Sequence, residues 1–461
     1  MNPSGPKKTA LLNMTVMVIL FLFLINILYC LLRFEYGHGY STIFFGPGDP
    51  FADLVKVAMS YKDIMRDVEG SAYFSKWPDI YKNYLLDNPY GGVDALQKGA
   101  LTHFHLPPFS SIIFILCAFV IKWLQYPVFA VVLYYMIYLA IVLYAINRYV
   151  ELLDGRSVRQ WGWTEIVIVL IFMISFPAIY MTVRGNINAG FTAAFIAIYL
   201  LPISIRKPVG FVECIAIAMA INIRPNAAIL LLALPSIYGV RQSVLPLLKS
   251  VILTIILFCA SLYLVGIIYP DYTFQSFLKA LKIYDNIYIK NAEGDSLHLF
   301  LVNICKYYGF RFRYDTIKGA LLFLVSISPL IIPLAIYLSK RFDRDVYVLP
   351  FAFVVFYRIY TPVFTEYHML VFAVIICIVL EDYRERKGVD LFIYYFILIV
   401  SIIMISPKRY FFDFVGVTRI FMINIEAMMA YISLFIVLMY YNVIGEKCGK
   451  LVGREYDVQK V

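Results

Sequence analysis

Charge is scarce in this chain. Asp, Glu, Lys and Arg supply 15% of its 461 residues while 62% are hydrophobic, whereas a soluble domain carries roughly a quarter charged residues. That balance excludes an ordinary soluble globular protein. Closely spaced cysteine pairs are also missing: the seven cysteines, at 30, 117, 214, 259, 305, 377 and 448, mostly lie inside apolar runs. Neither a disulfide framework nor a zinc site is supported. There is no phosphate-cradling glycine loop, no dinucleotide fingerprint and no Ser-His-Asp hydrolase motif. No repeat relates the two halves, although repeats mark many secondary transporters, and the lack of a cytosolic domain argues against a nucleotide-driven pump. The net charge of +10 resides in short loops between apolar spans, where membrane topology explains it without a nucleic-acid partner.

What is present is long, unalternating apolar sequence. In lipid every backbone polar group must be satisfied within helices or a closed barrel, and the lack of alternation rejects the barrel. The expectation is an all-α polytopic membrane protein, a single membrane-embedded domain over 1–461. Lys7 and Lys8 precede a run over 10–32 that is too long for a signal-peptide core; it reads as a retained first transmembrane helix with a cytoplasmic amino terminus.

The longest polar segment follows, 33–106, and should lie outside. It ends in His103-Phe104-His105-Leu106-Pro107-Pro108-Phe109. The next apolar run, 110–124, is short of the ~20 residues needed to cross, so 107–124 is assigned to an interfacial helix. With that choice Arg148, Arg156, Arg159, Arg206 and Lys207 fall inside, as positive-inside topology prefers. Further crossings are expected over 126–146, 164–181, 189–201, 209–222, 226–238, 245–268, 317–338, 346–359, 367–380, 389–405 and 421–441. The total is about twelve, with both termini cytoplasmic. A second outer loop spans 269–315, and apolar residues at 274, 277, 278, 281 and 284 repeat at helical spacing within it, which predicts an amphipathic interfacial helix.

Chemistry is expected at the outer face. The stretch Phe45-Gly46-Pro47-Gly48-Asp49-Pro50-Phe51-Ala52-Asp53 bends through two glycines and two prolines and offers two carboxylates, Asp49 and Asp53. Asp53 is a candidate base, or the cap of the helix that follows it. Arg224, in Ile223-Arg224-Pro225 between two short apolar runs, offers a fork of donors that matches a phosphate. Arg184-Gly185-Asn186-Ile187-Asn188 is a similar break, readable as a phosphate site or simply as a polar turn. His368 either donates to a phosphate or bonds Glu366, and Arg358 reads equally well as a snorkelling cation. The spacing of His103 and His105 does not suit a metal pair. An acidic outer loop beside arginines at membrane depth suits a substrate with a phosphate head and a lipid tail, with a carboxylate taking a hydroxyl proton and arginines stabilising the departing phosphate.

The order of several motifs resembles a known family. Asp53, Asn88-Pro89-Tyr90, Leu106-Pro107-Pro108-Phe109, Gly185-Asn186-Ile187-Asn188 and Ile223-Arg224-Pro225, with Glu366-Tyr367-His368 further on, are similar to motifs of the GT-C superfamily of polyprenyl-phosphate-sugar-dependent glycosyltransferases. The closest type is family 87, which includes mycobacterial mannosyltransferases. The resemblance implies a GT-C-like fold and an outer-loop aspartate as base, Asp53 with Asp49 as rival. Donor phosphate would be met by Arg224, Arg184 and His368, and substrate by Asn186, Asn188, His105, Tyr90 and Glu366. Family members commonly carry Lys where Arg224 stands and Gln where Asn186 stands. The expected activity is inverting transfer of a sugar from a polyprenyl-phosphate donor to a glycolipid or polysaccharide at the outer face of the cytoplasmic membrane, with no cofactor or metal. The rivals are a flippase for a lipid-linked sugar, for which Glu213 and Glu426 are the intramembrane acids, and a polymerase or ligase using lipid-diphosphate glycans.

Overall fold

The computed structural model describes residues 51–59, 61, 64–65, 106–156, 160–281, 348–360, 366–385, 391–406, 429 and 432–437. These residues are mostly helical, with no strand among them. The expected first helix at 10–32, the crossing at 317–338, most of the outer segments and nearly all of 421–441 lie outside the described residues.

Proline and glycine set the helix boundaries. Helix α1, Ala52–Met59, carries Asp53 in its first turn. Helix α2, Pro108–Leu124, starts on Pro107-Pro108 and ends at Gln125 in the left-handed region, φ 63°; proline suits the first helical position because its missing N–H would have no partner there. Helix α3, Pro127–Asp154, starts on a proline in the same way and stops at Gly155, φ 75°. Helices α4, Trp163–Ile174, and α5, Phe176–Arg184, form a pair bent by 43°. Ser175 is extended at the break, and Pro177 falls in the first turn of α5, where its missing N–H costs nothing. Helix α6, Ile187–Ser204, is capped by Asn186, and α7, Phe211–Ile223, ends at Arg224, which Pro225 biases out of the helical region.

The expected crossing at 226–238 is instead a 3-10 segment, Pro225–Leu232, followed by the six-residue α8, Ala233–Tyr238. The tighter coil follows directly from the proline break. Helix α9, Val240–Ile268, begins five residues before the expected 245 and so takes in Arg241. Then come α10, Val348–Tyr360, a second 3-10 segment, Glu366–Val371, α11, Phe372–Glu385, and α12, Leu391–Ile405. Residues 274–281 are helical as the spacing predicts; Phe277 is buried while Phe274, Leu278 and Leu281 are exposed.

Helix α6 is the axis. It packs on α3, α5, α7, α11 and the second 3-10 segment, and 94% of its span is buried against 11% for α9. A helix apolar on every face and buried on nearly all of them is a bundle centre; one more apolar still but bare suits lipid. Three described helices, Pro127–Leu153, Ile187–Ser204 and Val240–Ile268, are long and apolar enough to cross a membrane, or four with the bent pair. Six shorter apolar helices accompany them.

Candidate functional site

The break between α5 and α6 is built by one glycine. Gly185 takes φ 67°, a conformation glycine adopts without the steric cost a Cβ brings. It closes α5 by donating to Thr182, while the Asn186 N–H reaches back 2.8 Å to the Met181 carbonyl. This double wrap satisfies carbonyls that a helix end would otherwise orphan. The missing side chain has a second use. A Cβ on Gly185 would stand 2.7 Å from Leu54 Cβ and 3.4 Å from Phe51 Cα, so the bare glycine lets α1 lie directly on the turn.

That close approach sets Asp53 between two donors 131 and 133 residues away in sequence. Arg184 Nη2 donates to Asp53 Oδ1 at 2.7 Å, and Asn186 Nδ2 donates to Oδ2 at 3.1 Å. Asn186 works from both ends of its amide, because its Oδ1 accepts the Ala189 N–H at 3.3 Å and caps α6. The two sequence readings of this turn, polar bend and site, are therefore one arrangement. Asp53 and Arg184 keep 21% and 22% of their side-chain surface open, so a solute can reach them. The chain enters α1 through Phe51 at φ 56°, a costly conformation for an aromatic residue, and this places Asp53 at the helix amino terminus, where backbone N–H groups favour negative charge.

The second 3-10 segment packs on both α5 and α6, bringing His368 into the same region. His368 is buried and lies within electrostatic reach of Arg224. Arg224 is tied in from another side: Ser110, in the first turn of α2, donates to the carbonyl of Ile223 at 3.2 Å. The neighbouring Ser111 carbonyl accepts from Tyr61 at 3.3 Å, and Tyr272 donates to the Leu106 carbonyl at 2.6 Å. Burial pushes the Tyr61 and Tyr272 phenols above their ordinary range, so both serve as neutral donors. These bonds join α1, the Pro-Pro helix and the start of the second outer segment, and were not foreseen from the sequence.

Asn188 is buried in the first turn of α6. Arg358, which the sequence allowed as a snorkelling cation, has no exposed surface; a buried guanidinium cannot be snorkelling. Glu366 begins the second 3-10 segment, and its side chain lies outside what is described. Asp49, Tyr90, His103 and His105 fall outside the described residues. Among those described, no three His, Cys, Asp or Glu side chains stand together as metal ligands would.

The opposite ends of these helices hold two other carboxylates. Glu165 accepts from Gly162 N at 2.7 Å and from Arg156 at 2.5 Å; Glu213 accepts from Gly210 N at 2.8 Å and from Arg148 at 2.6 Å. Each is the third residue of its helix, reaching back over a glycine cap, and each is closed off, at 0% and 1% side-chain exposure. Sequence reasoning had offered Glu213 as an intramembrane acid. The spacing Gly210-Phe211-Val212-Glu213, matched by Gly162-Trp163-Thr164-Glu165, was the missed signal of a cap.

No family model, curated protein or solved structure matches this chain. The functional reading therefore stands on the geometry and on the motif order in the sequence.

Proposed function

We propose that the protein is an integral-membrane inverting glycosyltransferase of GT-C type, moving a sugar from a polyprenyl-phosphate donor to a lipid-linked or polymeric acceptor at the outer face of the cytoplasmic membrane. The observation that carries this reading is the Asp53 carboxylate held by Arg184 and Asn186. It lies where α1 meets a helix break, in a region that also draws in His368 and, through it, Arg224.

Asp53 takes the proton of the acceptor hydroxyl. The hydroxyl oxygen forms the new bond to the anomeric carbon from the face opposite the donor, the bond from that carbon to the phosphate oxygen breaks, and polyprenyl phosphate leaves with the electron pair. One displacement inverts the anomeric centre. Arg184 and Asn186 each bond one oxygen of the carboxylate and so orient it, and a carboxylate has about four acceptor positions in all. General-base help of this kind supplies roughly 10²- to 10⁴-fold. Arg224 meets the phosphate as charge develops, while Arg184 serves Asp53 first.

The flippase reading loses one support, because the Glu213 carboxylate is occupied by a cap and an ion pair; Glu426 lies outside the described residues. The test is to give purified protein in vesicles a polyprenyl-phosphate sugar and lipid extract, then look for a new glycosidic bond and its anomeric configuration. An inverted linkage supports transfer. Movement of donor across the bilayer with no new linkage overturns it.

A further inference from the structure

Arg224 stands where a helix has been cut. Its own N–H still closes α7 by donating to the Ala220 carbonyl at 2.8 Å, but Pro225 brings no N–H, and the Ala227 N–H donates to the Arg224 carbonyl at 2.9 Å, the tighter pattern of the 3-10 segment. In a continuing α-helix that Ala227 N–H would have met the Ile223 carbonyl. The break therefore leaves the carbonyl of a buried residue without its helical donor, and such a group needs one from elsewhere.

Ser110 supplies it. The Ser110 hydroxyl, on a side chain with no exposed surface, donates to the Ile223 oxygen at 3.2 Å from 113 residues away. The Ile223 carbonyl and the Arg224 N–H belong to one planar peptide unit, so that unit is held at both ends, by Ser110 and by Ala220. Arg224 leaves it extended, at φ −135° and ψ 99°. Its side chain is half-buried and within electrostatic reach of His368. The other side of the same α2 turn serves α1, because the Ser111 carbonyl accepts from Tyr61 and α1 packs on α2. One turn of α2 thus meets both the chain that carries Asp53 and the peptide that carries Arg224.

We infer that Ser110 is a positioning residue, which aims Arg224 at the departing phosphate of the donor. This rests on the reading of Arg224 as the group that meets that phosphate. Without the Ser110 hydroxyl the peptide is held at its Ala220 end alone, and the guanidinium loses its fixed direction while the surrounding helices stay in place.

The test reads binding of the leaving group, with the full chain in bilayer nanodiscs and two probes: a short-chain polyprenyl phosphate and the polyprenol that lacks the phosphate. Ser110→Ala should weaken the phosphate probe about three- to tenfold, the range of one hydrogen bond, and leave the alcohol probe unchanged. Arg224→Gln should weaken the phosphate probe about ten- to a hundredfold. Adding Ser110→Ala to Arg224→Gln should then change nothing further, since a residue that acts through another is not additive with it. Ser110→Cys, which fills the same space with a weak donor, should fall between Ser110→Ala and wild type. Wild-type phosphate affinity in Ser110→Ala, an equal loss of both probes, or the same fold-loss with and without Arg224 overturns the positioning role. A wild type that binds the two probes alike overturns the donor reading itself, so the two failures are told apart.

Discussion

Both ends of this bundle pair arginine with a carboxylate at a helix amino terminus, and they do so to different ends. At one, Glu165 and Glu213 are sealed, each spent on a glycine N–H of its own cap and on an arginine from the end of α3 or just past it. At the other, Asp53 is held by partners more than a hundred residues away and stays about one-fifth exposed. Local partners and full burial describe a fastening. Distant partners and a partly open face are what a site needs. Positioning it takes a glycine with no room for a side chain and a strained residue at the helix entry.

The comparison breaks most readily on activity. Asp53→Asn should lower turnover by roughly 10²- to 10⁴-fold while moving stability by no more than about 1 kcal/mol, the range for a partly exposed pair. Sugar transfer and detergent melting on the same preparation would separate the two. Glu213→Ala should do the reverse, costing about 1–3 kcal/mol because it uncaps α7 and takes the partner from a part-exposed Arg148, yet leaving turnover per folded molecule unchanged. If Glu213→Ala abolishes transfer in protein that remains folded, the two ends are not distinct in kind.

Gly185→Ala should fall between. A left-handed non-glycine residue costs about 1 kcal/mol, and the overlap with Leu54 costs about 1–3 more, so both melting temperature and turnover should drop as α1 lifts from the turn. The smallest and sharpest effect belongs to Asn186. Asn186→Ala removes the cap of α6 at about 1 kcal/mol together with the bond to Asp53. Asn186→Ser keeps a cap acceptor for the Ala189 N–H but is too short to hold Asp53. Stability near wild type with turnover about tenfold down is the expected result for Asn186→Ser, read by melting and initial rates.

Much of the helical layout was legible because prolines and glycines punctuate it. Pro107-Pro108, Pro127, Gly155, Gly185 and Gly210 fall where helices start or stop, and those rules act within a few residues. The turn carrying Arg184 and Asn186 was visible for the same reason. That its partner is Asp53 was not, since no local pattern encodes a contact across 131 residues. Pro225 was read as a plain break between two crossings, whereas a 3-10 segment follows it. Glu213 was misread because hydropathy sees an acid in an apolar run, while the physical cue is the glycine three residues earlier. Tyr61, Ser110, Ser111 and Tyr272 carry no motif at all; their role exists only once α1, α2 and the chain after α9 are packed together.

The most direct test of the account is the single-turnover rate of sugar transfer from a polyprenyl-phosphate donor by Asp53→Asn, set beside Glu213→Ala at equal folded concentration. The account predicts a rate at least a hundredfold below wild type for the first and a wild-type rate for the second. Equal rates for Asp53→Asn and wild type would contradict it, whatever either variant does to stability.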